Sequence, residues 1–116
     1  MSSIDSCGPN SFCVPIFIRN LIGGEDFTGF ALIDTGADHT LIPRHLVEEL
    51  GLPIISSREV QTANGNTTLD TAYVEVQVGD NDPVGAQMLV VDTKDLVAVG
   101  VDLVRQLNLL QAPDLN

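Results

Sequence analysis

Residues 31–38 read ALIDTGAD, which places a carboxylate at the point where an apolar strand ends. The first three residues are apolar, and Asp34 follows them directly. Thr35 adds a hydroxyl that can fix geometry across a close contact, and Gly36 permits a tight backbone approach. A carboxylate that leaves a hydrophobic strand is a candidate general acid or base. Asp and Gly are also common where a strand simply ends in a turn, so the motif alone leaves a structural role open.

Short strands are predicted on both sides of this motif. Val14, Ile16 and Ile18 lie at every second position, which indicates a half-buried strand. The stretch Phe27–Ile33 becomes wholly apolar toward its end, which is typical of a strand buried on both faces. Further strands are predicted from the same patterns over residues 73–78, 86–91 and 96–99.

Two short helices and a hairpin complete the predicted architecture. Pro43 precedes apolar residues at helical spacing, and Gly51 stands where a helix would end, so a helix is predicted between them. Residues 102–107 predict a second helix. Residues 60–69 predict a hairpin, because the Asn-Gly pair at 64–65 is a strong turn signal, whether or not the hairpin acts as a lid. Many short strands with one or two short helices predict an all-β fold, a small closed β-barrel or sandwich.

Length and charge restrict the domain organisation and the partners. The chain has 116 residues, and we expect a mobile N-terminal arm over residues 1–11 followed by a single domain over residues 12–116. Five Lys and Arg against 16 Asp and Glu give a formal net charge of −11. This charge disfavours binding to nucleic acid or to an anionic membrane surface. No apolar run approaches the roughly 20 residues of a membrane span.

The cysteines and the N-terminal sequence bear on the compartment. The first residues lack both the basic segment and the long apolar run of a signal peptide. A cytoplasmic location is therefore expected, with Cys7 and Cys13 as free thiols. A local bridge between these two cysteines stays open as the alternative.

Residues 31–38 resemble the active-site signature of the retropepsin-like aspartic proteases, the single-domain relatives of pepsin, in which apolar residues precede Asp-Thr/Ser-Gly-Ala. The apolar strand lies before the motif, and the hairpin at 60–69 lies where these proteases carry a flap. The segment Ala98–Val101 matches their second hydrophobic-glycine signature, which a short helix follows. The order and the spacing of these segments agree with those of the family over roughly residues 12–110.

The resemblance implies an aspartic endopeptidase that binds a peptide or protein substrate and needs no cofactor and no metal. Its catalytic pair would be one Asp34 from each chain of a homodimer, the two sharing a proton across a water. Thr35 and Gly36 would support the active site. The residues that the resemblance places at the substrate are Ala37, Asp38, His39, Ala63, Asn64, Gly65 and Val99.

One position departs from the retroviral members, which usually carry an Arg just after the later glycine, paired to the second Asp of the motif. Val101 stands at that position, so Asp38 is expected to lack this partner, with Asp102 nearby instead.

Two other functions remain open at the level of the sequence. The first is a catalytically inactive retropepsin-like module that binds peptides or mediates dimerisation. The second is a structural subunit in which Asp34 is only a turn residue. A metal site built from Asp38, His39 and His45 is not predicted, because their spacing fits no zinc signature.

Overall fold

The computed structural model describes residues 12–107 and contains seven strands and two short helices over that range. The strands are β1 (Cys13–Arg19), β2 (Phe27–Ile33), β3 (Leu41–Pro43), β4 (Ile54–Thr62), β5 (Gly65–Val78), β6 (Val84–Val91) and β7 (Val97–Val99). The helices are α1 (Arg44–Leu50) and α2 (Val101–Leu107). The predicted arm over residues 1–11 and the end of the predicted domain, residues 108–116, lie outside the described residues.

Six of the strands close into a barrel. They follow one another in the order β1-β2-β7-β3-β6-β5, and β5 pairs again with β1. The pairs β2–β7 and β3–β6 are parallel, and the other pairs are antiparallel. The remaining strand, β4, pairs with β5 outside the ring. The prediction of an all-β fold built as a small closed barrel with two short helices is confirmed.

The barrel interior is filled by the inward side of each strand. In β1, Ile16 and Ile18 are buried, whereas Phe17 between them faces outward. This alternation follows from the pleat, which directs successive side chains to opposite faces of the sheet. The other large side chains that are almost fully buried are Ile42, Val74, Val76, Val78, Met88, Val90, Val97, Val99 and Leu103.

The helix α1 begins and ends where the sequence predicts. Pro43 is its N-cap with extended backbone, and Leu46, Val47 and Leu50 are buried on its inner face. Gly51 ends it in the left-handed conformation at φ 66°, which favours glycine because that residue has no Cβ.

The β4–β5 hairpin is longer than the sequence predicts. β4 starts at Ile54 rather than near Val60, and the second half of the predicted hairpin and the strand predicted at 73–78 belong to one strand of 14 residues. Nearly all of β4 and the first residues of β5 are exposed. A strand with two exposed faces has no apolar alternation, so the pattern that marks the other strands is absent there.

The predictions of a free thiol and of no membrane span can be compared with the described residues. Cys13 is disulfide-bonded, so the expectation of a free thiol at this position is wrong, and with it the thiol argument for a reducing compartment. Within residues 12–107, neither of the two seven-residue helices could cross a membrane.

Candidate active site

Asp34 stands at the first turn after β2, in a loop that its own hydrogen bonds shape. Its backbone N–H donates to the carbonyl of Val99 at 2.9 Å, which extends the parallel β2–β7 pairing by one residue. Its Oδ1 accepts a hydrogen bond from the N–H of Gly36 at 3.1 Å. The N–H of Ala37 donates to the Asp34 carbonyl at 3.1 Å. The carboxylate is therefore half-buried in a tight turn, while Thr35 and Gly36 are exposed.

The loop after Asp34 packs directly on the backbone that follows β7. The N–H of Val101 donates to the Ala37 carbonyl at 2.8 Å. A Cβ at Gly100 would lie 2.6 Å from the backbone of His39 and 2.8 Å from the Ala37 oxygen. This contact explains why the second motif carries a glycine, since a side chain would collide with backbone that cannot move aside.

Val99 lies beneath the loop rather than in an open cleft. The resemblance places it at the substrate, but its side chain is 0% exposed in the barrel core. Its carbonyl, which accepts the hydrogen bond of the Asp34 N–H, is its link to the site. Val99 cannot contact a substrate through its side chain because it belongs to β7, a short strand whose three residues are all buried.

Asp102 does not stand in for the missing arginine at Asp38, because its hydrogen bonds go to Thr40. Its Oδ1 accepts from the Thr40 hydroxyl at 2.8 Å, and its Oδ2 accepts from the Thr40 N–H at 3.2 Å. The same hydroxyl accepts a hydrogen bond from the N–H of Gly100 at 3.1 Å. Thr40 therefore connects the end of the active-site loop, residues 34–40, to the start of α2 by hydrogen bonds.

Replacing Thr40 with valine tests this connection. Thr40 is 1% exposed, so its loss would leave the Gly100 N–H without its buried acceptor. We expect the free energy of unfolding to fall by about 1–3 kcal/mol, the usual cost of an unsatisfied buried polar group. Urea denaturation measures this change.

Thr71 provides the matched control. It is also buried, but its hydroxyl has no hydrogen-bond partner among residues 12–107. Thr71→Val is therefore expected to leave stability unchanged or to raise it. Equal losses in the two variants would contradict the assignment of the Thr40 hydroxyl as a bridge.

The tip of the β4–β5 hairpin is a two-residue turn. Thr62 pairs with Gly65, so Ala63 and Asn64 form the turn and Gly65 is the first residue of β5 rather than a turn residue. The Thr62 hydroxyl donates to the Gly65 carbonyl at 2.7 Å and accepts from the Asn64 N–H at 3.2 Å. Gly65 has φ 110°, a conformation that explains the glycine at this position.

The base of the hairpin is joined to α1 by charged groups. Arg44 Nε donates to Asp92 Oδ1 at 2.9 Å, and its Nη1 lies 3.5 Å from Asp70 Oδ2. The hydrogen bond with Asp92 raises the pKa of Arg44 above its ordinary value. Asp70 also accepts a hydrogen bond from Ser57 at 3.2 Å, across the β4–β5 pair. Exposed pairs of this kind contribute little stability.

A pocket of about 290 Å³, called here the apolar pocket, lies between the active-site loop and the hairpin. Three of its residues were predicted at the substrate: Ala37, Asp38 and His39. The others are Leu41, Val60, Gln61, Thr62, Leu69, Leu89 and Val91. The predicted residues Ala63, Asn64 and Gly65 are at the exposed hairpin tip and do not line it.

Sequence reasoning missed most of the apolar wall. Leu41 and Leu89 come together because β3 and β6 pair in parallel, and this pairing joins segments far apart in the chain. Val60 and Leu69 carried a usable signal, since they are the large apolar residues in the otherwise polar segment 56–70 of the hairpin. Within residues 12–107, no group of three or more His, Cys, Asp or Glu side chains is arranged to hold a metal ion.

Comparison with solved structures places this architecture among retroviral proteases. EIAV protease in complex with the inhibitor HBY-793 superposes with a TM-score of 0.68 at 19% identity, over 86% of this chain and 90% of that chain. The solution structure of simian foamy virus (mac) protease gives a TM-score of 0.58 at 22% identity, over 85% of this chain and 98% of that chain. At these identities the likeness shows the fold, which is that of the retropepsins.

Comparison of the sequence finds a matching family but no matching individual relative. No curated protein matches the chain. The family described as aspartyl protease matches residues 21–103, a range that contains the Asp34 loop, the hairpin and Gly100. The chain belongs to the aspartyl protease family.

Proposed function

We propose that the chain is an aspartic endopeptidase that acts as a homodimer on an extended peptide. The observation that carries this proposal is the position of Asp34 on the loop whose next residues, Ala37, Asp38 and His39, line the apolar pocket. A peptide held in that pocket would have its backbone beside the carboxylate. Two retroviral proteases share the fold, and this supports the same class of reaction.

The proposed reaction needs a second carboxylate, which a second copy of the chain would supply. Two carboxyl groups that share one proton titrate as a pair, so one is ionised while the other is protonated. The ionised Asp34 takes a proton from a water molecule, and the oxygen of that water attacks the carbonyl carbon of the peptide bond. The partner's Asp34 gives its proton to the carbonyl oxygen. The tetrahedral diol then breaks at the C–N bond. The leaving nitrogen takes the proton that Asp34 removed from the water, and one hydroxyl of the diol returns a proton to the partner's Asp34.

The supporting residues have distinct roles in this proposal. The Gly36 N–H fixes one carboxylate oxygen, which leaves the other free for water. A Cβ at Gly36 would lie 3.3 Å from that fixed oxygen, so a side chain there would crowd the carboxylate. Thr35 is exposed in the single chain. In the proposed dimer its hydroxyl would brace the same loop of the second copy. The apolar pocket would take an apolar side chain of the substrate.

Sedimentation of the purified chain near pH 5 and pH 7 tests the dimer. We expect a species of twice the 12.4 kDa chain mass as the concentration rises. A chain that stays monomeric at every concentration, with and without a cleaved peptide, would contradict the shared catalytic pair.

Subunit mixing tests whether the two carboxylates come from two chains. An excess of Asp34→Asn chain should lower the activity of each wild-type chain, because mixed dimers hold one carboxylate in place of two. The matched control is an equal excess of Asp80→Asn chain, whose change lies in an exposed turn far from the motif in sequence. Activity per wild-type chain that is unaffected by Asp34→Asn would indicate catalysis by a single chain.

A further inference from the structure

A second cavity adjoins the apolar pocket on the side of α2. It has a volume of about 60 Å³, and we call it the polar cavity. His39 and Leu89 line both the polar cavity and the apolar pocket, so the two are neighbours across these side chains. The other residues of the polar cavity are Arg58, Thr71, Gln87, Met88 and Asp102.

The buried part of the polar cavity contains an unpaired hydroxyl. Thr71 is 2% exposed, and its Oγ1 has no hydrogen-bond partner within residues 12–107. Buried polar atoms in folded proteins nearly always have a partner, and the exceptions call for an explanation. The cavity beside Thr71 provides the space through which a partner could reach this atom.

The charged residues of the polar cavity favour a neutral guest. Asp102 offers carboxylate oxygens, which also hold Thr40. Arg58 offers a guanidinium, whose Nη1 lies 3.4 Å from the Nδ1 of His39. A charged group of either sign would meet one attractive and one repulsive partner, Arg58 and Asp102, so neither sign is favoured overall. A carboxamide carries both a donor and an acceptor without a net charge, so it can satisfy both kinds of partner.

Size and access narrow the class of guest further. One water needs about 10–15 Å³ of such cavity volume, so a cavity of about 60 Å³ has room for the end of one side chain. His39 and Leu89 line both spaces, so a side chain that enters from the apolar pocket would pass them, which suits methylenes first and a polar end last. Among the side chains that carry an uncharged carboxamide, glutamine has the longer methylene stem.

We propose that the polar cavity is a specificity site for the carboxamide of a glutamine side chain in the bound peptide. This inference rests on the proposed function for the position of the peptide. It assigns to Thr71 and Gln87 a role in specificity that is separate from the chemistry at Asp34.

Peptide binding to the Asp34→Asn protein tests the assignment without cleavage. Fluorescent peptides of one sequence would carry glutamine, methionine, glutamate or lysine at each position in turn. We expect one position at which glutamine binds about three- to tenfold more tightly than methionine, the range for one or two neutral hydrogen bonds. Glutamate and lysine should bind less tightly than glutamine at that position.

Variants of the cavity identify the residues responsible. Thr71→Val and Gln87→Met, each added to Asp34→Asn, should reduce the preference for glutamine over methionine. Gln87 is exposed, so its variant tests the cavity independently of the buried Thr71. Thr28→Val is the matched control, because Thr28 is exposed on β2 and lines neither the polar cavity nor the apolar pocket.

Three outcomes would overturn the inference: equal binding of glutamine and methionine peptides at every position, a preference that Thr28→Val removes as well, or no binding of any peptide. The first would mean that the polar cavity holds water only. Cleavage by the wild-type chain is scored separately. A glutamine preference without cleavage would reject the proposed function and support the specificity site. Cleavage without the preference would support the proposed function and reject the specificity site.

Discussion

Asp34→Asn is expected to lower kcat for peptide cleavage by about 10²- to 10⁴-fold, the usual contribution of general acid–base catalysis. A carboxamide can neither accept a proton from water nor donate one to the carbonyl oxygen. In a homodimer the change removes both members of the catalytic pair at once. Cleavage of a peptide library by purified protein measures the loss.

The same substitution should preserve the fold. The asparagine oxygen can accept the Gly36 N–H as the carboxylate does, at the position now 3.1 Å away. We therefore expect the Tm and the sedimentation of Asp34→Asn to match those of wild type, as for the control Asp80→Asn. Cleavage that survives in Asp34→Asn would reject the catalytic role. A loss of folding that accompanies the loss of activity would instead favour Asp34 as a structural turn residue.

An inactive peptide-binding module makes a different prediction. Such a module would bind peptides equally well with either residue at position 34, and the wild-type chain would cleave none of them. Comparing binding and cleavage on the same peptides therefore separates this alternative from the protease.

Gly100→Ala is expected to lower the free energy of unfolding by about 1–3 kcal/mol or more, the cost of forcing a methyl group into a packed interior. The added Cβ would stand 2.6 Å from backbone atoms of His39, and backbone gives way less easily than a side chain. For a domain of this size we expect a fall in Tm of about 5–20 °C. The active-site loop would move with the collision, so activity should fall as well.

Gly29→Ala is the matched control for this prediction. Its Cβ would meet the far end of the Phe27 side chain, at 2.6 Å, rather than backbone. We expect a smaller loss of stability than for Gly100→Ala, because a side chain can shift more easily than backbone. Equal losses in the two variants would contradict the contact with the loop backbone as the cause.

Features that depend on nearby residues were predictable from the sequence. The Asp34 motif after an apolar strand, the helix between Pro43 and Gly51, and the closed all-β fold all follow from local patterns or from the family resemblance. Each rests on short-range chemistry: an apolar run, a proline that starts a helix and a glycine that ends it.

Features that depend on residues distant in the chain were not predictable. Thr40 and Asp102 are 62 positions apart, and no local pattern marks them as partners. The wall formed by Leu41 and Leu89 depends on the parallel pairing of β3 with β6. The length of the hairpin was also missed, because strands exposed on both faces lack the periodicity that burial imposes.

The contacts that hold the Asp34 loop have a consequence for the order of events during synthesis. The loop bonds to Val99, Val101 and Asp102, all of which are translated more than 60 residues after it. A chain still emerging from the ribosome therefore lacks the segment that fixes the loop, and closing such distant contacts is also slow in folding. Until α2 has been translated, the unfinished polypeptide therefore lacks the hydrogen bonds that hold the Asp34 loop in its folded geometry, so this loop can become ordered only late in synthesis.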